Sequence, residues 1–191
     1  MGRWEPDARG RLAKAAMELY AEQGFEQTTV AEIAARAGLT ERTFFRHFAD
    51  KREVLFYGME RLRDLLARAV ADAPASATAM EAVGAAFQAA AALLQENPER
   101  VRLRDAIVSA NAELRERELI KLAVMASAVA GALRDRGIPE PSASLAAETG
   151  VAVFKVAFAR WVSGPGQSDL PGILRESMRE LRGVVTDRAL A

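Results

Sequence analysis

The side chains best suited to chemistry lie on one short predicted helix that follows Thr40, and just after it. The DNA major groove admits an α-helix, and arginine and threonine are residue types that reach base edges there. Arg42 and Thr43 are therefore candidate base contacts. Arg46 is better placed for the DNA backbone, and Lys51 at the start of the next helix suits a phosphate. The chemistry that this stretch predicts is DNA recognition.

Two short capped helices joined by a glycine turn must position these side chains. Thr29 and Glu32 have the spacing of a capping box, which begins the first helix. Gly38 stands where a helix needs a left-handed residue to end, and Thr40 can cap the second helix. Asp50 begins a similar capping sequence before a third helix. This order of signals is typical of a helix-turn-helix.

The apolar residues of the same stretch predict its core. One face of the first helix carries Val30, Ile33, Ala34 and Ala37 at helical spacing. Phe44 and Phe48 share one face of the second helix at i, i+4, and we expect both to be buried and not to contact DNA.

These residues resemble the DNA-binding domain of the TetR family of transcriptional regulators, from about Asp7 to about Leu66. The matching residues are Ala15, Ala16, Leu19, Gly24, Phe25, Thr28, Thr29, Val30, Ile33, Ala34, Ala37, Gly38, Thr40, Phe44, Phe45, His47, Phe48 and Lys51. The family usually has a tyrosine at Phe45 that touches a phosphate. Phe45 lacks that hydroxyl, which leaves van der Waals contact with a sugar or a thymine methyl group. The predicted DNA contacts are Thr29, Thr40, Arg42, Thr43, Phe45, Arg46, His47 and Lys51.

Simpler interpretations exist for several of these residues. An exposed helix carries residues such as Arg42 and Thr43 by default, and Arg36 and Arg52 could be solvated only. The resemblance implies a phosphate contact for His47, with an inert surface histidine as the alternative. A metal role for His47 has no support, because the chain has no cysteine and no second histidine to complete a ligand set.

Composition favours a helical, cytoplasmic protein. Of the 191 residues, 50% are hydrophobic, alanine is abundant, and the net charge is zero. The local charge between residues 36 and 52 is nevertheless +3, from five cations and two anions. No stretch of about 18 uninterrupted apolar residues predicts a membrane span. The absence of cysteine fits a reducing compartment. We expect no cofactor.

The predicted architecture is all-α, with two domains. Residues 1–50 form the helix-turn-helix DNA-binding domain, and residues 51–191 form a larger helical ligand-binding and dimerisation domain. A helix over 51–71 links the two. Further helices are predicted at 77–96, 98–110, 112–136, 142–163 and 170–187.

The larger domain carries a candidate pocket for a small hydrophobic molecule. Its candidate lining residues are Phe87, Leu94, Met125, Phe154, Phe158 and Trp161, which could equally be ordinary core residues. An arginine-rich stretch (Arg100, Arg102, Arg104, Arg115 and Arg117) could meet an anionic ligand. Its acidic neighbours favour a salt-bridged surface instead. Residues 113–137 are similar to a TetR subgroup associated with acyl-coenzyme A ligands.

The resemblance implies a homodimer that pairs through its last two helices and binds double-stranded DNA at a palindromic operator. The expected function is repression relieved by a hydrophobic effector, with an acyl-CoA-like molecule as one candidate. Two alternatives stay open: an activator of the same fold, or a helical interaction protein with a vestigial DNA-binding motif. An enzyme is not expected, because no grouping of nucleophile, histidine and acid is apparent.

Overall fold

The structure is a computed structural model that describes residues 7–164 and 168–186. Every regular element in these ranges is an α-helix, which confirms the predicted fold class. The helices are α1 (Ala8–Gln23), α2 (Val30–Arg36), α3 (Glu41–His47), α4 (Lys51–Leu55), α5 (Met59–Ala71), α6 (Ala79–Gln95), α7 (Pro98–Ala110), α8 (Ala112–Asp135), α9 (Ser142–Ser163) and α10 (Leu170–Val185). The predicted end of the last helix, residue 187, lies outside the described residues.

The predicted single helix over 51–71 is wrong, because the chain breaks between α4 and α5. Gly58 adopts φ +96°, a left-handed conformation that glycine reaches at little cost. The neighbouring Phe56 is 4% exposed, and the ring of Tyr57 lies 6.1 Å from that of Phe48. A straight helix could not continue through Gly58 in this conformation.

The chain folds into two compact units. Of the described residues, the first unit comprises those up to Gly58 together with Glu99–Glu118. The second comprises Met59–Pro98 and the described residues from Leu119 onward. The helix α8 therefore begins in the first unit and continues into the second.

In the first unit, α1, α2 and α3 pack around one small apolar core. Leu12, Ile33 and Phe44 are fully buried, and Phe48 is 3% exposed. The predicted burial of the two phenylalanines is confirmed. This core fixes the orientation of α3 relative to α1 and α2.

The residues from α7 and the start of α8 bind α4 within the same unit. The Arg117 guanidinium lies 2.9 Å from a Glu53 carboxylate oxygen and 3.5 Å from one of Asp50. Arg104 forms an ion pair with Glu118 and donates a hydrogen bond to a backbone carbonyl of α4. The salt-bridged interpretation of the arginine-rich stretch is thus confirmed for Arg104 and Arg117.

The second unit is built on α5, α6, α9 and α10. Helix α6 packs against α5, α9 and α10, and α9 packs against α10. Gly150 allows the close crossing of α6 and α9: a Cβ there would lie 2.4 Å from Val83 and 2.7 Å from Phe87. Among the described residues, α9 alone is long and apolar enough to span a membrane. Nine of its residues are buried, as in a core helix.

Candidate nucleic-acid interface

Reciprocal hydrogen bonds fix the start of α2. The Thr29 backbone N–H donates to a Glu32 carboxylate oxygen at 2.8 Å, and the Glu32 N–H donates to the Thr29 hydroxyl oxygen at 3.2 Å. The predicted capping box is therefore confirmed. These bonds lower the pKa of Glu32, with the backbone N–H of Thr29 as the largest cause. The Thr29 hydroxyl itself donates to Glu32, so it enters the site as part of a cap.

The turn between α2 and α3 is stabilised by a hydrogen bond within its own backbone and by a side-chain hydrogen bond from α1. Gly38 adopts φ +65°, as predicted for the end of α2. The N–H of Leu39 donates to the Ala34 carbonyl at 2.8 Å. From α1, the Arg11 guanidinium donates to the Ala37 carbonyl. The turn is thereby tied to the helix that supports it.

Helix α3 begins at the predicted cap and directs one face into the core. The Thr40 hydroxyl oxygen accepts from the Thr43 N–H at 3.2 Å, and the two threonine hydroxyl oxygens lie 3.1 Å apart. Thr43 is half-buried. It lies on the flank of α3 and not on its outermost face.

The outward face of α3 carries the side chains that are free to contact DNA. Arg42 and Arg46 are exposed, and within the described ranges neither makes an ion pair. Phe45 is 56% exposed, although it is a large apolar residue. The structure thus brings three predicted contact residues together on one accessible surface, which we call the α3 face: Arg42, Phe45 and Arg46.

His47 lies at the C-terminal end of α3 and is half-buried. Its Nε2 atom is buried and has no hydrogen-bond partner among the described residues. A buried polar atom without a partner is costly and calls for an explanation. DNA cannot reach a buried atom in this conformation, so the phosphate contact of His47 stays a prediction.

In the structure the Lys51 ammonium is engaged inside the domain, and its predicted phosphate contact stays a prediction. Its ammonium donates to the backbone carbonyls of Phe25, Glu26 and Thr28 at 2.8, 3.1 and 3.0 Å. It also lies 4.6 Å from the centre of the Phe25 ring. An ammonium has three N–H groups, and all three are used inside the domain. Lys51 therefore fastens α4 to the loop between α1 and α2.

Two further cations near α3 are paired and not merely solvated. The Arg36 guanidinium donates two hydrogen bonds to the Glu22 carboxylate, at 2.9 and 2.7 Å, which lower the pKa of Glu22. Arg52 lies 3.3 Å from a Glu113 carboxylate oxygen. Of the five cations between residues 36 and 52, the exposed and unpaired ones in the described structure are the two arginines of the α3 face.

Some supporting residues carried no signal in the sequence. The Tyr20 hydroxyl donates to the Lys51 backbone carbonyl at 2.8 Å. Burial and, secondarily, the charge of Asp50 raise the pKa of this tyrosine. One feature that the sequence analysis did not identify could have been predicted from residue spacing: Thr78 and Glu81 form a second capping box, at the start of α6.

The predicted pocket residues all belong to the second unit, where four of them form an aromatic row. Ring centres are 5.5 Å apart for Phe87 and Phe154, 5.8 Å for Phe154 and Phe158, and 5.8 Å for Phe158 and Trp161. Met125 on α8 is 3% exposed, and Leu94 on α6 is half-buried. Their role as a pocket stays a prediction. The described residues contain no cluster of His, Asp and Glu suited to a metal ion.

Two family models match this chain. The model of the bacterial regulatory proteins of the tetR family covers residues 12–57. The model described as the MftR C-terminal domain covers residues 77–186, which is more than half of the chain. Both describe regulators and not enzymes.

Known proteins agree with these matches. The HTH-type transcriptional regulator TcmR of Streptomyces glaucescens is 38% identical over 81 residues, which are 42% of this chain and 36% of TcmR. This chain thus aligns with about a third of TcmR's length.

Solved structures show the same fold over nearly the whole chain. FadR of Thermus thermophilus, a TetR family transcriptional repressor in complex with lauroyl-CoA, has a TM-score of 0.61 at 23% identity and covers 96% of each chain. FadR of Bacillus subtilis in complex with stearoyl-CoA has a TM-score of 0.64 at 22% identity, covering 91% of this chain and 97% of that one. The α3 face, the helix-turn-helix that holds it and both family matches lead to one conclusion: the chain is a transcriptional regulator and belongs to the TetR family.

Proposed function

We propose that this regulator is a cytoplasmic homodimeric repressor that binds a palindromic operator and is released by a hydrophobic effector of the acyl-CoA type. The observation that carries the DNA part is the α3 face. Two arginines and an exposed aromatic ring extend outward from a helix that is capped at Thr40 and anchored by the buried Phe44. Exposed, unpaired guanidinium groups on a rigid helix are what base and phosphate contacts need.

The proposed dimer forms through α9 and α10. Leu145 and Val156 on α9 are 65% and 55% exposed, and Val184 and Val185 on α10 are 67% and 72% exposed. Exposed apolar side chains on two adjacent helices are a feature of subunit interfaces. A twofold dimer places two recognition helices about one DNA turn apart, ~34–36 Å, and requires a palindromic site.

The oligomeric state tests the dimer directly. We expect Val156→Glu to shift the protein from dimer to monomer in sedimentation velocity, because it buries a charge in the interface. Ile120→Glu is the matched control, since Ile120 on α8 is 59% exposed and lies outside the proposed interface. A Val156→Glu variant that stays a dimer would reject α9 as an interface helix.

Operator binding is tested by selection from random DNA duplexes at fixed salt, followed by sequencing. We expect a palindrome to be enriched. On that operator, Arg42→Ala should weaken the binding free energy by about 1–3 kcal/mol and reduce sequence preference at one base position. Lys14→Ala on α1 should leave both the operator affinity and the sequence preference unchanged. Lys14 is a suitable control because its side chain is 79% exposed. Weak binding without any enriched sequence would favour the interaction protein with a vestigial motif.

The effector class is supported by two solved relatives that hold lauroyl-CoA and stearoyl-CoA, and by the aromatic row of the second unit. We expect lauroyl-CoA to release the labelled operator, while coenzyme A and free laurate alone do not. Phe158→Ala should weaken this response and leave operator binding unchanged, because Phe158 is a half-buried member of the row. Val124→Ala, at an exposed site on α8, is the control. Release by none of the three compounds would reject an acyl-CoA effector.

A repressor and an activator of this fold bind DNA alike and differ in how they change the expression of the regulated gene. A reporter under the selected operator should gain expression when the regulator is deleted. Loss of expression on deletion would instead identify an activator of the same fold.

A further inference from the structure

Phe45 is exposed, although large apolar side chains are usually buried. Its 56% exposure contrasts with Phe44, which is fully buried beside it. An exposed aromatic ring forgoes burial free energy, and a surface that recognises DNA is a place where such a ring can recover it.

The ring of Phe45 packs against the core ring beside it. Its centre lies 5.5 Å from that of Phe44, and the two ring planes meet at 83°. This edge-to-face geometry is a favoured aromatic arrangement. The buried Phe44 thus supports one side of the Phe45 ring, while most of the Phe45 side chain stays exposed.

The position of Phe45 on α3 directs it to one side of the α3 face. Successive residues of an α-helix are separated by about 100°. Arg42 and Arg46 therefore point nearly straight outward, opposite the buried Phe44, and Phe45 lies roughly 60–100° to one side of them. In a groove-bound helix, such a residue faces the edge of the base pairs near one strand and not the middle of the groove.

A phenyl ring offers neither a donor nor an acceptor, so it can recognise only an apolar group. In the major groove, the apolar group that distinguishes one base from the others is the C5-methyl of thymine. We propose that Phe45 selects a thymine in each half-site by packing against this methyl group. The inference rests on the proposed operator binding and adds the base that Phe45 recognises.

Replacing thymine by deoxyuridine removes only the methyl group, which makes it a direct test. The enriched operator is synthesised with deoxyuridine at one symmetric pair of thymine positions at a time. For one pair, the wild-type dimer should lose about fourfold in affinity per half-site, as expected for one buried methyl group. 5-Bromodeoxyuridine at the same pair should restore binding, since bromine is similar in size to methyl.

Variants connect the effect to Phe45. In Phe45→Ala, the affinity should be the same for thymine and deoxyuridine at that pair. In Arg42→Ala, which removes a neighbouring side chain of the α3 face, the deoxyuridine effect should persist. Phe45→Leu, which keeps an apolar side chain, should retain part of the affinity difference between thymine and deoxyuridine.

Each outcome bears on the proposal. An enriched operator without a thymine pair near the Phe45 position, or a deoxyuridine effect of equal size in wild type and Phe45→Ala, would overturn it. So would a Phe45→Ala variant that weakens all duplexes alike without a deoxyuridine effect in wild type, which would assign Phe45 to the sugar-phosphate backbone. If no operator is enriched at all, the proposed operator binding fails first and this inference with it.

Discussion

Lys51 offers a measurement that separates two roles for the same side chain. Lys51→Met keeps the length of the stem and removes the ammonium. If Lys51 is a phosphate contact, the variant should fold normally and bind DNA weakly. If it is a structural clamp, as its three carbonyl partners indicate, the variant should lose stability first.

The size of the loss follows from the acceptors left behind. The carbonyls of Phe25 and Thr28 are part-buried, while that of Glu26 is exposed and can bind water instead. An unsatisfied buried acceptor costs about 1–3 kcal/mol, and loss of the contact over the Phe25 ring adds roughly 0.5 kcal/mol. Because both carbonyls are only part-buried, each counts at the lower end of that range, and we expect Lys51→Met to destabilise the first unit by about 2–3 kcal/mol. For a chain of this size that corresponds to about 5–10 °C in Tm.

The assay combines thermal unfolding with operator binding over a range of salt concentrations. Lys14→Met is the control for losing an exposed lysine and should shift stability by less than about 0.5 kcal/mol. Below its melting temperature, Lys51→Met should keep the wild-type salt dependence. An unchanged Tm together with a salt slope smaller by about one for each Lys51 would refute the structural role and restore the phosphate contact.

Three further changes have expected outcomes set by local geometry. Gly150→Ala should destabilise the second unit by about 1–3 kcal/mol, because its Cβ would meet two side chains at 2.4 and 2.7 Å. Gly84→Ala should instead stabilise by up to about 1 kcal/mol, since its Cβ would meet nothing within 4 Å; denaturant titration of both variants checks the pair. Burial, and then the charge of Glu118, raise the pKa of Asp105, so its folded state takes up a proton more readily than its unfolded state. Asp105→Asn should therefore raise Tm at neutral pH, and this gain should shrink as the pH falls through the raised pKa of the wild-type carboxyl; a gain that does not change with pH would contradict the cause.

The parts of the fold that followed from sequence are those fixed by neighbouring residues. A capping box joins residues three apart, so Thr29 and Glu32 could be paired from spacing alone. The partners of Lys51 lie 23 to 26 residues away, and the carbonyl that Arg11 binds lies 26 residues away. A lysine that clamps a loop and a lysine that faces DNA look identical in sequence, because the difference is made by packing.

The same distinction applies to the predicted helix over 51–71. Its apolar residues recur at helical spacing on both sides of Gly58, so periodicity alone favoured one helix. The break coincides with the left-handed Gly58 and with the burial of Phe56 in the first unit, and periodicity reports neither. The inclusion of Glu99–Glu118 in that unit was likewise beyond the reach of local signals, since ion pairs such as Arg117–Glu53 join residues far apart in the chain.

Internal pairing of cations also sets how strongly DNA binding should respond to salt. The sequence offers five cations between residues 36 and 52, but Arg36, Lys51 and Arg52 are engaged inside the first unit. Two arginines per subunit remain. Arg42 is proposed to contact a base, so Arg46 supplies two phosphate contacts per proposed dimer. Each phosphate neutralised contributes roughly −0.9 to the slope of log K against log salt. Two contacts give a slope of about −2, whereas eight, with the three engaged cations of each subunit released onto phosphates, give about −7.

Titrating a labelled operator at five or more KCl concentrations distinguishes the two slopes. A slope near −2 means that the internal pairs persist on DNA, so that selectivity rests on a few contacts from the α3 face. A slope near −7 means that the clamp and ion pairs open on binding, in which case the free structure is not the DNA-bound one.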